Sequence, residues 1–392
     1  MAVDALVERA LAANPEIAAA RQRLAAARER PAQARSLPDP MISAGYRSSG
    51  NPLPGAGLGS VPNADVSVMV TQAFPYPGKR DLRAAEASHE ADADAQQLEA
   101  VRLRVASRVK QAYYRLAYAY GALDVLARDK TLLDTLLEVS ETRYSVGRAA
   151  QQDVIKAQTD LSLLELRRRQ VLQERASREG ELNALLDQPL STAIGRPEDL
   201  TLPEFSVSLD RITALVAEHA PALRRDGDLI AGAETAVAAA RRDYRPDFAV
   251  SGGYANMGAM PPMYEFRFDV SVPLRRARRA AAVAEQADRA DEARATREAT
   301  RQALVAAAND DYQTATTAAE LARLYRETVL PQARLALDAS LSSYETGTVD
   351  FLSVLTSFDT VFEYELGYLD QLASFHTAVS RLEEATATSL VP

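Results

Sequence analysis

Half of the six methionines in this 392-residue chain fall in one short stretch, NMGAMPPMYEF, as Met257, Met260 and Met263. Thioethers are soft ligands suited to Cu(I) and, by the same softness, Ag(I). Their recurrence at every third position of a predicted loop makes a soft-metal contact one reading. The other is that methionine fills gaps or touches lipid and sugar chains.

Other chemistry has less to stand on. GAGLGS (Gly55 to Ser60) has the composition of a phosphate-binding loop, but such a loop follows a strand and opens a helix. Here it lies between two strand-like segments and reads as a hairpin loop. His89, His219 and His376 are far apart, without ligand spacing, and no nucleophile–base pair stands out. The chain therefore reads as neither an enzyme nor a cofactor binder. With no cysteine, disulfides, thiolate metal sites and a lipidated cysteine are all excluded within this sequence. A net charge of −9 argues against nucleic acid as a partner. No apolar run reaches the ~18 residues of a membrane-spanning helix. The opening MAVDALVERALAANPEI reads as an amphipathic helix and not a signal peptide.

The elements that position these residues come in two copies. RYSVGRAAQQDVIKAQTDL around Gly147 is echoed by SYETGTVDFLSVLTSFDTVF around Gly347. LPDPMISAGY (Leu37 to Tyr46) is echoed by RPDFAVSGGY (Arg245 to Tyr254), and TQAFPYPGKR (Thr71 to Arg80) by DVSVPLRRAR (Asp269 to Arg278). Residues 1–200 and 201–392 thus read as two repeats joined near Gly195 to Pro203. Each has a short helix (Val3 to Ala13; Leu209 to His219) and a second helix starting at a proline (Pro15 to Leu37; Pro221 to Tyr244). Two strands follow, then a helical hairpin over 78–186 or 275–387. Leu126, Leu133 and Leu137 share a helix face, as do Leu337, Leu341 and Tyr344. A helix of ~70 residues extends about 100 Å and must pack along neighbours in coiled-coil fashion. Each glycine permits the reversal at the hairpin tip.

The strands are predicted at 41–49, 64–74, 247–257 and 264–274. Val66, Val68 and Val70 alternate with Ser67, Met69 and Thr71, and Phe266, Phe268 and Val270 with Arg267, Asp269 and Ser271. Segments of about ten alternating residues fit transmembrane β-strands, or a half-buried sheet in a soluble protein. Four strands cannot close a barrel and would leave two open edges, so strand sharing between identical subunits is expected.

In this order and with these tip motifs, the chain resembles the TolC-type outer membrane factors, the outer membrane efflux protein family. GKR after a QxFP-like strand (Gln72 to Arg80) is most similar to the heavy-metal efflux branch. The resemblance implies a mainly α fold with a transmembrane β-barrel portion. It implies a homotrimer in the bacterial outer membrane, its twelve-stranded barrel continued into the periplasm by a twelve-helix tunnel. It implies a passive exit duct for metal ions or small toxic compounds, working with a periplasmic adaptor and an inner-membrane pump. Outer membrane lipid is a further expected partner. Arg143, Tyr144, Gly147 and Arg148 match the family's tip pattern for adaptor docking, as do Tyr344 and Gly347, with Ser343 replacing the arginine in the second copy. A soluble coiled-coil scaffold engaging partners through its hairpin tips is the alternative reading.

Family members narrow the periplasmic entrance with acidic residues six and nine positions past the second tip glycine. Here those positions hold Ser353 and Thr356. Asp350, one turn before Ser353, is the expected source of carboxylates for the gate. Alternatively, Asp350 caps the return helix, where a negative charge suits the helix dipole.

Overall fold

A computed structural model describes residues 2–50, 52–61 and 63–391. The first half runs α1 (Val3–Ala13), α2 (Pro15–Arg35), β1 (Met41–Arg47), β2 (Asp65–Phe74), α3 (Lys79–Ser145) and α4 (Gln151–Leu185). The second repeats that order: α5 (Leu209–His219), α6 (Pro221–Arg242), β3 (Asp247–Asn256), β4 (Met263–Ser271), α7 (Arg276–Leu324), a π-helical turn (Tyr325–Val329), α8 (Leu330–Glu345) and α9 (Phe351–Thr386).

Between α1 and α2 the buried Asn14 accepts from the Glu16 N–H at 2.9 Å and donates to the Leu185 carbonyl at 3.0 Å. One asparagine thereby starts a helix led by Pro15 and ties it to the end of α4.

Along α3 the buried positions recur every seven residues without interruption: Val105, Ala112, Ala119, Leu126, Leu133 and Ser140. This is a coiled-coil seam, with small residues where neighbours approach closely. The corresponding seam of the second copy reads Ala308, Ala315 and Ala322, then Leu330, Leu337 and Tyr344. One step, from 322 to 330, is eight. The π-turn lies inside that step and takes up the extra residue. Opposite it, a Cβ at Gly367 of α9 would lie 2.9 Å from the Tyr325 hydroxyl, so only glycine leaves room for that ring. The hairpin expected over 275–387 therefore has a first arm in two α-helical pieces.

Two compact units emerge, and each draws on both sequence halves. The first comprises Met1–Ala20, Leu98–Leu223 and Thr300–Pro392. It contains three apolar clusters: one among α3, α4, α8 and α9, one where α1 and the start of α2 meet α3 and α4, and one where α5 meets α7 and α9. The second comprises Arg21–Gln97 and Arg224–Ala299. Its helices pack on alanines such as Ala27, Ala84, Ala236 and Ala290.

The second unit also holds one antiparallel sheet in the order β1-β2-β3-β4. Strands end earlier than the alternation suggests. β1 stops at Arg47 instead of 49, and β4 spans 263–271 instead of 264–274 because Pro273 has no N–H to give. Met263, expected in a loop, opens β4. Among the described residues no helix is long and apolar enough to cross a membrane.

Candidate functional site

The strand register sorts the sheet into two faces. Ser67, Ala255 and Met263 stand in one row, Met69, Gly253 and Glu265 in the next, and Thr71, Ser251 and Arg267 in a third. This face is small and polar: Thr71 and Ser251 hydroxyls meet at 2.9 Å, and Arg267 Nε donates to Asp269 at 2.9 Å. The opposite face carries Val66, Val68, Val70, Phe74, Phe266 and Phe268, all exposed, with Phe266 at 86% and Phe268 at 64%. Aromatic pairs mark both ends of it: Tyr254 with Tyr264 toward the hairpin loops, Phe248 with Phe268 toward the helices.

From Val66 to Phe74 the apolar face runs along eight residue steps of one strand. At ~3.4 Å each, with a strand tilt of ~40°, that is about 20 Å of height, close to the ~25 Å band of a membrane barrel. A sheet apolar outside and polar inside, with β1 and β4 as open edges, needs lipid against one face and more strands at both ends.

The two hairpin tips, in the first unit, share one backbone solution. Gly147 (φ 69°) and Gly347 (φ 76°) are left-handed. In each, the following N–H reaches back five residues: Arg148 to the Arg143 carbonyl at 2.8 Å, Thr348 to the Ser343 carbonyl at 2.9 Å. These are Schellman closures, where a side chain in the left-handed region would be strained. The side chains differ. Arg143 donates to the Tyr344 and Glu345 carbonyls at 2.8 and 2.9 Å, and its guanidinium lies 4.3 Å from the Tyr344 ring centre. Tyr344 is buried, against Phe351, whereas Tyr144, Val146 and Arg148 are exposed. The structure thus brings together Arg143 and Tyr344 from opposite tips and leaves Tyr144 and Arg148 outward.

Asp350 is the N-cap of α9: its carboxylate accepts from the Ser353 N–H at 2.9 Å and the Ser353 hydroxyl at 2.6 Å. Those bonds hold its carboxyl below the usual range. The Thr356 hydroxyl donates to the Leu352 carbonyl at 2.9 Å. Asp350, Ser353 and Thr356 therefore lie on the first turns of one helix, with the two hydroxyl protons committed within it.

A charged knot between α3, α8 and α9 escaped the sequence reading. Glu365, nearly buried, accepts from Arg334 at 2.6 Å and pairs with Arg128 through its other oxygen. Arg128 also reaches the buried Asp129 at 3.2 Å. Burial pushes the Asp129 carboxyl up to about 6 against the pull of Arg128, with Glu365 adding repulsion. Its second oxygen is enclosed without a hydrogen bond. The signal was present: Ala122, Asp129 and Leu136 are buried seven apart, so an acid occupies a seam position.

The remaining candidates are dispersed. Met257 follows β3 and Met263 opens β4, with Met260 in the turn between them. Among the described residues no group of histidines and carboxylates is placed to hold a metal ion. His376 stacks on Tyr114 at 4.4 Å and meets the Thr201 carbonyl at 2.7 Å, a structural role. GAGLGS forms turns between β1 and β2, with Gly55, Gly57 and Gly59 left-handed, and opens no helix.

Residues 6–188 match the outer membrane efflux protein family. No curated protein sequence matches at a significant level. Solved structures share the fold over nearly the whole chain. A structure of CusC, described in terms of folding and transmembrane channel formation, aligns with a TM-score of 0.84 and 16% identity, over 98% of this chain and 91% of that one. The outer membrane protein VceC from Vibrio cholerae aligns with a TM-score of 0.83 and 19% identity, over 99% and 96%. The CmeC outer membrane channel from Campylobacter jejuni aligns with a TM-score of 0.81 and 14% identity, over 99% and 86%.

Proposed function

From its membership of the outer membrane efflux protein family, matched over residues 6–188, we propose that this chain is the outer-membrane exit duct of a tripartite efflux system. The carrying observation is the two-faced sheet with open edges. Three copies give twelve strands, which close the edges and enclose the polar face as a lumen wide enough for solutes. The helical hairpins then extend into the periplasm, built from repeats 1–200 and 201–392. Transport is passive, and no catalytic chemistry is assigned to the chain.

An adaptor protein docks on the tips, chiefly on the outward Tyr144 and Arg148, while Arg143 and Tyr344 lock one tip to the other and Gly147 and Gly347 shape them. Three copies of Asp350, beside Ser353 and Thr356, ring the entrance and favour cations. The cargo is metal ions or small toxic compounds, as in the heavy-metal branch, with Met257, Met260 and Met263 as soft-metal contacts near the exit. Native mass spectrometry in detergent should show a trimer, and the purified protein should form ion-conducting pores in planar bilayers. A stable monomer that conducts nothing would overturn the duct.

A further inference from the structure

The protein is acidic overall, with a net charge of −9, yet arginine crowds the places where helices meet strands: RRDYRPD at 241–247 and LRRARR at 274–279. These segments touch. Arg279 Nε donates to the Asp243 carbonyl at 2.8 Å. The local acids are few and mostly used. Asp243 and Asp247 face the buried Lys79 at 3.5 and 2.9 Å, and Asp81 faces Arg35 at 3.4 Å, leaving Asp39 exposed and unpaired. Arg241, Arg242, Arg245, Arg275, Arg276 and Arg278 are all exposed, and none has a carboxylate within ion-pair distance among the described residues.

Their position is as informative as their charge. Arg242 and Arg245 lie over the Tyr76 ring at 5.8 and 6.0 Å from its centre. Tyr76 rests against Phe248 at 6.4 Å, and Phe248 stacks on Phe268 at 5.8 Å. Phe248 and Phe268 belong to the apolar face of the sheet. Val272 and Leu274, 62% and 81% exposed, continue from that face up to Arg275. A guanidinium layer thus begins where the apolar band ends, on the helical side.

We propose that this layer binds the phosphate groups of anionic phospholipids in the periplasm-facing leaflet, an inference that rests on the membrane reading above. An apolar band fixes the acyl chains, and the arginines beyond it stand at headgroup depth. Guanidinium is the cation that pairs phosphate in bidentate fashion while stacking on aromatic rings. Clustered cations at a membrane surface add attraction for each anionic headgroup, and added salt screens it.

The test is native mass spectrometry of the full chain from micelles holding equal phosphatidylglycerol and phosphatidylcholine with identical acyl chains. We expect phosphatidylglycerol to be retained at least tenfold over phosphatidylcholine. That preference should collapse toward unity in the combined variant R242Q/R245Q/R275Q/R276Q/R278Q, and in the unmodified protein when salt rises from about 0.05 to about 0.5 M. Inorganic phosphate at equal ionic strength should leave it unchanged, which separates a headgroup site from a free-phosphate site. Equal retention of the two lipids by the unmodified protein overturns the proposal. So does a preference indifferent to salt, which decides the matter even if the variant does not fold. Insertion into vesicles of both compositions without lipid preference would sink this proposal alone. Failure to insert into either would overturn the membrane reading itself.

Discussion

Replacing Asp129 with asparagine should stabilise the protein at neutral pH, and the gain should vanish in acid. Asp129 is 6% exposed, one of its oxygens has no partner, and its carboxyl titrates near 6 instead of 3.8. The folded state therefore holds this proton more tightly than the unfolded chain does. Between about pH 4 and pH 6 folding takes up a proton, so stability falls as pH rises through that window and the loss is complete above it. A displacement of about two pH units corresponds to about 3 kcal/mol. Asparagine keeps an oxygen for the Arg128 bond, so a net gain of about 1–3 kcal/mol is expected at pH 7.5. Unfolding entropy near 2.1 cal/mol/K per residue gives about 0.8 kcal/mol/K for 392 residues, hence a Tm rise of about 1–4 °C. With no tryptophan in the chain, helical ellipticity is the suitable probe. Taking the difference between variant and parent at each pH cancels the other titrating groups. A variant less stable than the parent at pH 7.5, or a difference that stays flat from pH 4 to 7.5, would refute the reasoning.

Arg143→Ala should free the second tip: amide exchange over 344–350 is expected to quicken about tenfold or more, the loss of two charge-assisted hydrogen bonds and a ring contact. Unchanged exchange would show the tie to be idle. Asp350→Asn keeps the cap but removes the charge, so reconstituted pores should lose cation preference and change conductance; if both persist, Asp350 is a cap only. Replacing Met257, Met260 and Met263 together with leucine should weaken Cu(I) or Ag(I) binding by direct titration, and unchanged binding would assign them to packing.

Periodic features could be read in the sequence because periodicity is what a chain writes locally. The bounds of α1 and α5, the tip glycines and the strand alternation all follow from spacing, proline and φ requirements. What escaped were contacts between distant residues. Arg143 meets Tyr344 201 positions away, and Glu365 gathers arginines from α3 and α8. No local pattern encodes such partners. Asp129 and the eight-residue step were visible as breaks in the heptad, but a break announces only that something compensates it. Strand ends were misjudged where a proline withdraws a ladder donor before the apolar alternation stops.

The π-turn at Tyr325–Val329 has a consequence best expressed as phase. One residue is about 100° of helix rotation. Deleting a single residue there would mend the helix and at the same time turn everything beyond it by a little over a quarter of a circle. Leu330, Leu337 and Tyr344 would swing out of the seam, and the ring that Arg143 covers would point elsewhere. The first copy has no such joint, so its hairpin could not be spliced in for the second without losing one residue of timing. Two hairpins that close in the same way are therefore not interchangeable parts.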